Sequence, residues 1–432
     1  MKFRSTRNGR LQVPLSQAIQ EGLAKDGGLY VPAVMPRFEP ALFAGQDSPR
    51  AIAVPLMRPF FADDPLAEHL EEIVEEAFHF PAPLIAPTDS TAAVLELFHG
   101  PTGAFKDFGA RFLAACLARL RARARQPLTI IVATSGDTGG AVAAAFHRRT
   151  GFRIVLLYPK GGVSQWQERQ LCCWDDNVTT FAVHGDFDDC QRLAKRALTD
   201  QGLAALIELS SANSINVGRL LAQMTPIAAG SLGIKNATGR KAGFVIPSGN
   251  LGHALACIWA REAGLPVGGI LLAHNANRTV PDYFADGRWR PRPSVATIAT
   301  AMDVGNPNNM ERLFNLYPEH ETIVSRLACD SVDDASIRAR IRAEASGGGR
   351  VLCPHSAVAA EAWHRLPAPV RERNRWVIVA TAHPAKFPEA VEPLIGRRLV
   401  PPAALAQLVA RPLCRREIAA DFEALRAELL AA

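Results

Sequence analysis

The sequence predicts an α/β fold with a mainly parallel sheet, on two observations. Short apolar, β-branched runs bounded by glycine or proline recur at 128–134 (LTIIVAT), 152–159 (FRIVLLYP), 177–185 (NVTTFAVHG), 242–249 (AGFVIPSG), 268–275 (GGILLAHN) and 375–383 (RWVIVATAH). Each reads as a strand buried on both faces, because a half-exposed strand would alternate apolar with polar residues. Helical stretches such as AVAAAFHRRT, DFDDCQRLAKRAL, HALACIWAREAG and AKFPEAVEPLIG lie between these runs, and strand–helix alternation is how a parallel sheet covers its faces. Ligands in such sheets sit at the carboxyl ends of the strands.

Along the chain, residues 1–85 read as helices and loops and end in a Pro-rich boundary, FHFPAPLIAPTDS. The α/β core runs from 91 to 390, and an Ala-rich tail, 391–432, reads as terminal helices. With 432 residues, 48% of them hydrophobic and 21% charged, the composition is that of a soluble globular protein. Its 48 Lys+Arg and 42 Asp+Glu are interspersed, which argues against a nucleic-acid footprint. The basic run RLRARAR ending at Arg125 fits a helix C-terminus, where the dipole favours cations. The eight cysteines show no C-x-x-C and no metal spacing, as expected for reduced thiols in the cytoplasm. No apolar leader and no run of ~18 apolar residues occurs, so export and membrane insertion are not expected.

Two strand–loop–helix units end in small-residue turns. The run LTIIVAT enters SGDTGG (135–140), with Ser135, Asp137 and Thr138, and AGFVIP enters SGNLGH (248–253), with Ser248, Gly249, Asn250, Leu251 and Gly252. Glycine lets the backbone approach a ligand, and free helix N–H groups favour an anion. Neither loop has the dinucleotide or Walker pattern. Each is either a capped turn, with Asp137 or Asn250 as cap, or part of a site for one or two small phosphates. The cluster NSINVGR places Asn213, Ser214, Asn216 and Arg219 at a helix start, either as an N-cap or as an anion pocket with a bidentate arginine.

In LELFHGPTGAFKDFGARF (95–112), Lys106 stands at the mouth of a helix between Phe105 and Asp107. Phe105 and Phe108 are expected to dry its surroundings, while Phe108, Phe112 and Cys116 recur as a core-facing stripe. Lys106 is either a solvated lysine of the first turn or a desolvated, neutral amine able to form a Schiff base. His99 reads as a hydrogen-bonded loop residue.

Taken in order, LELFHGPTGAFKDFGARF, ATSGDTGGAVA, NSINVGRLLAQ, VIPSGNLGHALA, AMDVGNPNNMERLF, CPHSAVAAEA and ATAHPAKF resemble the threonine synthase family from about residue 4 to residue 390. The opening STRNGRLQVPLSQAIQEGLAKDGGLYVP is similar to that family's first segment. The resemblance implies a fold-type-II, tryptophan-synthase-β-like enzyme of two lobes with a helical N-terminal segment. Its implied cofactor is pyridoxal 5'-phosphate, with no metal, and its substrate is O-phosphohomoserine. The implied reaction is γ-elimination of phosphate followed by β-addition of water, giving threonine. A single subunit and a homodimer are both compatible with it.

On the matching positions, the resemblance makes Lys106 the Schiff-base lysine, which also moves protons at the substrate carbons. Ser248, Gly249, Asn250, Leu251 and Gly252 would cradle the cofactor phosphate. Asp137 would lie near the pyridoxal hydroxyl, Thr381 opposite the pyridine nitrogen, and Ser135 and Thr138 near the substrate. Asn213, Ser214 and Arg219 would hold the substrate phosphate. The chain departs from the family at Leu251 and His253, where Phe and Asp are common, at Cys353, where an acidic residue often stands, and at Gly103 and Gly305. Leu251 is expected to be benign, whereas His253 brings a group that is neutral or positive beside the phosphate. Two rivals are a related lyase or dehydratase acting on another phosphorylated or β-substituted amino acid, which without a substrate phosphate has no use for Arg219, and a non-catalytic binding homologue, which has none for Lys106.

Overall fold

The apolar runs form the centres of two sheets in a computed structural model that describes residues 1–85, 92–347 and 349–431. One sheet is parallel throughout, in the order Arg416–Ala419, Val178–His184, Phe152–Pro159, Leu128–Ala133, Glu208–Ser211. The other runs Ala328–Ser331, Val267–His274, Ala242–Pro247, Arg375–Ala380, Ala93–Glu96, Leu84–Ile85, and only its last pair is antiparallel. Every residue of Leu128–Ala133 and of Ala242–Pro247 is buried. Helices on both faces leave no position for a polar side chain, which is why these segments read as unbroken apolar runs.

Three parts differ from the sequence expectation. The N-terminal segment holds a small antiparallel sheet, Gln12–Pro14, Lys2–Ser5, Tyr30–Pro32, besides helices such as Pro49–Phe61 and Leu70–Ala77. Strands of three or four residues are too short to show a period. The tail is helical at Ala403–Val409 and Phe422–Leu430, but between them Arg416–Ala419 pairs with Val178–His184. The edge strands Glu208–Ser211 and Ala328–Ser331 are partly exposed and polar, so no apolar run marks them. The end of the Pro-rich boundary, 86–91, lies outside the described residues.

The helix Lys106–Leu120 buries Phe108, Phe112 and Cys116 as the spacing predicts. Phe108, however, packs on Phe78 and Phe80, with ring centroids 6.0 and 4.6 Å away. It therefore anchors the helix to the N-terminal segment and does not dry the surroundings of Lys106. Burying one such ring stabilises the fold by about 1.5–3 kcal/mol. Among the described residues no helix is long and apolar enough to cross a membrane.

Candidate active site

The loops that leave the carboxyl ends of both sheets meet in one cleft, the place where open α/β sheets bind ligands. Apart from Asn216, every residue singled out above for the site lines it, from Lys106 to Thr381.

Neither Asp137 nor Asn250 caps its helix. Asp137–Phe146 opens after Gly136 at φ 128°, and Gly252–Glu262 after Leu251 at φ 57°, with no side-chain cap on either. Helices away from the cleft do carry caps, such as Ser48 and Ser164. The two helix ends at the cleft therefore keep their positive pole for an incoming anion. Leu251 is less neutral than expected, because the left-handed backbone of a buried leucine costs about 1–2 kcal/mol. Thr134 Oγ1 accepts the Gly136 and Gly139 N–H groups at 3.0 and 2.9 Å and shapes the first loop.

In NSINVGR the cap is Asn216, whose side chain accepts the Gly218 N–H at 3.1 Å. Asn213 and Ser214 are thereby left facing the cleft. Asn213 Nδ2 donates to Ala133 O at 2.7 Å, and Ser214 Oγ accepts from Asn250 Nδ2 at 3.0 Å and from Asn309 Nδ2 at 3.2 Å. Arg312, wholly buried, donates to the carbonyls of Ser214, Ile215 and Tyr30. Asn309 and Arg312, in the NPNNMER motif, thus clamp the two anion loops together. Sequence reading assigned them no role, and an arginine within an otherwise helical motif was the signal available.

Arg219 is 2% exposed and, among the described residues, forms no ion pair. Its Nη1 donates to Ala212 O at 2.8 Å, while its Nε has no partner. Burial lowers the guanidinium to about 10, so it stays charged at neutral pH. A buried charge with unused donors is costly until an anion meets it.

Lys106 is half-buried in the cleft wall, its Nζ 5.6 Å from the centre of the Phe105 ring. Burial lowers it to about 8, with Arg219 and Lys386 helping and Asp137 opposing. At pH 7 about 10% of it is neutral, against roughly 0.03% of an ordinary lysine. Its place in the cleft wall fits the reading of a partly desolvated amine better than that of a solvated surface lysine. Asp107 holds the preceding turn by accepting the Thr102 N–H at 2.9 Å and its hydroxyl at 2.8 Å. A side chain at Gly100 would meet Asp107 Oδ2 at 2.4 Å. His99, as expected, is satisfied by Glu96 at 2.8 Å.

Burial pushes the Asp137 carboxyl up, but Lys386, Lys106 and His355 outweigh it and hold it at about 2. Lys386 was not foreseen; its Nζ lies 2.8 Å from Asp137 Oδ1. Thr381 is fixed by its backbone, its N–H donating to Ser356 Oγ at 3.1 Å and its carbonyl accepting from Phe105 at 2.8 Å. The departures also have local reasons. Cys353 caps Pro354–Arg365, its sulfur accepting the Ser356 N–H at 3.4 Å. A side chain at Gly305 would strike Arg292 O at 1.8 Å, and Gly103 is left-handed at φ 65°.

His253 is neutral: burial lowers it to about 3, its Nδ1 lies 3.3 Å from Gln223 Oε1, and its Nε2 has no partner among the described residues. Burial also lowers His274 to about 3 and His355 to about 4. Each contributes stability that is complete above its unfolded value of 6.5 and is lost as pH falls toward its folded one. Below pH 6.5 each removes about 1.4 kcal/mol per pH unit. Urea midpoints measured at a series of pH values are expected to fall steeply there; a flat profile between 6.5 and 4 would refute the neutral assignments.

Residues 2–78 match the family model described as threonine synthase N terminus, and 356–428 match threonine synthase, C-terminal. The threonine synthase of Serratia marcescens is 39% identical over 434 residues, covering 100% of this chain and 99% of the relative. This chain belongs to the threonine synthase family. Residues 87–382 match the pyridoxal-phosphate dependent enzyme model. The crystal structure of the Escherichia coli threonine synthase superposes with a TM-score of 0.92 at 38% identity, covering 100% of both chains. The pyridoxal-phosphate-bound threonine synthase of Brucella melitensis gives 0.90 at 31%, covering 100% of this chain and 99% of that one.

The residues present fit that cofactor. A primary amine of lowered basicity faces the cleft, an uncapped helix end backs SGNLG, and a Cβ at Gly249 would come within 2.8 Å of Met302 Cα. Such a closed cradle accepts a phosphate through main-chain N–H groups.

Proposed function

We propose that the chain is a threonine synthase, converting O-phospho-L-homoserine and water to L-threonine and phosphate. The observation that carries this reading is Arg219, a buried guanidinium with unused donors in the same cleft as Lys106 and the SGNLG cradle. A site for two separate phosphates needs that second grip, and a site for an unphosphorylated amino acid does not.

In this reading the SGNLG backbone, Ser248 to Gly252, holds the cofactor phosphate. Asn213, Ser214 and Arg219 hold the substrate phosphate and stabilise it as it leaves. The chemistry the cofactor supplies is an electron sink for charge built up on the substrate carbons. Lys106, neutral often enough at pH 7 to take a proton, moves protons at those carbons. Asp137 stays a carboxylate and orients the cofactor ring, Thr381 offers its nitrogen a neutral hydroxyl, and Ser135 and Thr138 position the substrate. Phe105, Met302 and Val304 wall the cleft against stray water. The same reading divides the chain into an N-terminal segment (1–85), a cofactor-binding core (91–390) and a tail (391–432) that the strand Arg416–Ala419 ties to the core. The free thiols of all eight cysteines fit a cytoplasmic location.

The purified chain with pyridoxal phosphate and O-phosphohomoserine is expected to release phosphate and threonine in equal amounts. Release of 2-oxobutanoate in place of threonine would assign it to the lyases, and absence of phosphate release would end the proposal. Gly249→Ala is expected to weaken pyridoxal phosphate binding at least about tenfold, or ~1.4 kcal/mol, because the new methyl meets backbone at Met302. Fluorescence titration of the cofactor checks this, and unchanged affinity would show that the cradle lies elsewhere.

A further inference from the structure

Behind the reactive lysine stands another. Lys386 is 1% exposed and ends the short turn Pro384–Lys386 that follows Thr381. Its ammonium meets Asp137 Oδ1 at 2.8 Å and donates to Thr102 O at 2.8 Å. Taking an ammonium out of water costs several kcal/mol, which a carbonyl contact alone does not offset. A neutral donor would have held Thr102 as well, so what the placement uses is the charge, and the charge is spent on Asp137.

Asp137 shares the cleft wall with Lys106. It is ion-paired to Lys386, and it also acts on Lys106, which among the described residues forms no ion pair of its own. Resting on the functional reading above, we propose that Lys386 is a positioning residue of the reaction: bound to Asp137, it keeps that carboxylate from pairing with Lys106, so the Lys106 amine remains free to release and take up protons. Other charged or titratable groups near Lys386 are Asp107 on the Lys106 helix, His355 on Pro354–Arg365 and His383 on its own segment. The histidines are held neutral by burial, and Asp107 is engaged by Thr102. Lys386 and Asp137 therefore dominate the field at Lys106, together with Arg219.

The test reads Lys106 directly in the full-length chain freed of cofactor, by competitive labelling with acetic anhydride and peptide mass spectrometry at pH values on either side of about 8. In Lys386→Met both changes act in one direction: a nearby cation is lost, and Asp137 is released to pair with Lys106. Labelling of Lys106 below its midpoint is expected to fall about tenfold, a midpoint shift of about one pH unit. Lys386→Arg, which keeps the cation, should restore it. A folded Lys386→Met chain whose Lys106 labels as in the parent overturns the proposal. Should Lys386→Met fail to fold, Asp137→Asn probes the same arrangement from its other side. There Lys106 should label at lower pH than in the parent, and an unchanged profile is again fatal. Phosphate release from O-phosphohomoserine by the loaded parent is scored separately: its absence rejects the functional reading, whereas the labelling result decides the Lys386 proposal.

Discussion

Lys106→Ala is expected to abolish phosphate release from O-phosphohomoserine, by at least roughly 1,000-fold or about 4 kcal/mol, and to remove the absorbance of the lysine–cofactor linkage. The fold should survive. The Lys106 amine makes no ion pair among the described residues, and alanine suits the first turn of a helix. Removing a partly desolvated ammonium also removes a cost, so the melting temperature should stay level or rise. Loss of activity with loss of fold would instead make Lys106 a structural residue. Retained activity would return it to the class of ordinary lysines.

Arg219→Met should give the second-largest effect, a fall in kcat/KM of about 100- to 1,000-fold, or roughly 3–4 kcal/mol. Lysine should not substitute for it, because an ammonium lacks the planar fork that grips a phosphate at two points. This variant also carries an opposite expectation for stability. Without substrate, Arg219 is a buried charge that among the described residues only Ala212 O engages, so methionine of similar volume should raise the melting temperature while activity falls. A drop in both would mean that the guanidinium serves the core rather than the substrate.

Much of this was legible in the sequence, and the parts that were not share physical causes. The central strands could be read because burial on both faces forbids polar residues, whereas Glu208–Ser211 and Arg416–Ala419 lie at sheet edges and carry the composition of loops. The site loops could be read because phosphate binding needs glycines and amides at helix starts. What those residues do could not be read singly: Asp137, Asn250, Asn213 and Ser214 are all good caps by type, and only the structure shows Gly136, Leu251 and Asn216 in those places. Lys386 and Arg312 escaped because their importance comes from burial and long-range partners. Thr102 and Asp137 lie more than two hundred residues from Lys386, and Tyr30 as far from Arg312. The residue type at 253 suggested a pH-sensitive group, yet the apolar packing against Phe105 that removes its charge has no local signature.

The central claim is that one amine, Lys106, carries the cofactor, in a cleft backed by a second, buried lysine, Lys386. Borohydride reduction of the chain loaded with pyridoxal phosphate, followed by proteolysis and mass spectrometry, fixes the cofactor on whichever lysine it is joined to. The pyridoxyl mass should appear on the peptide containing Lys106 and on no other. Its appearance on the Lys386 peptide, or on none, would contradict the account.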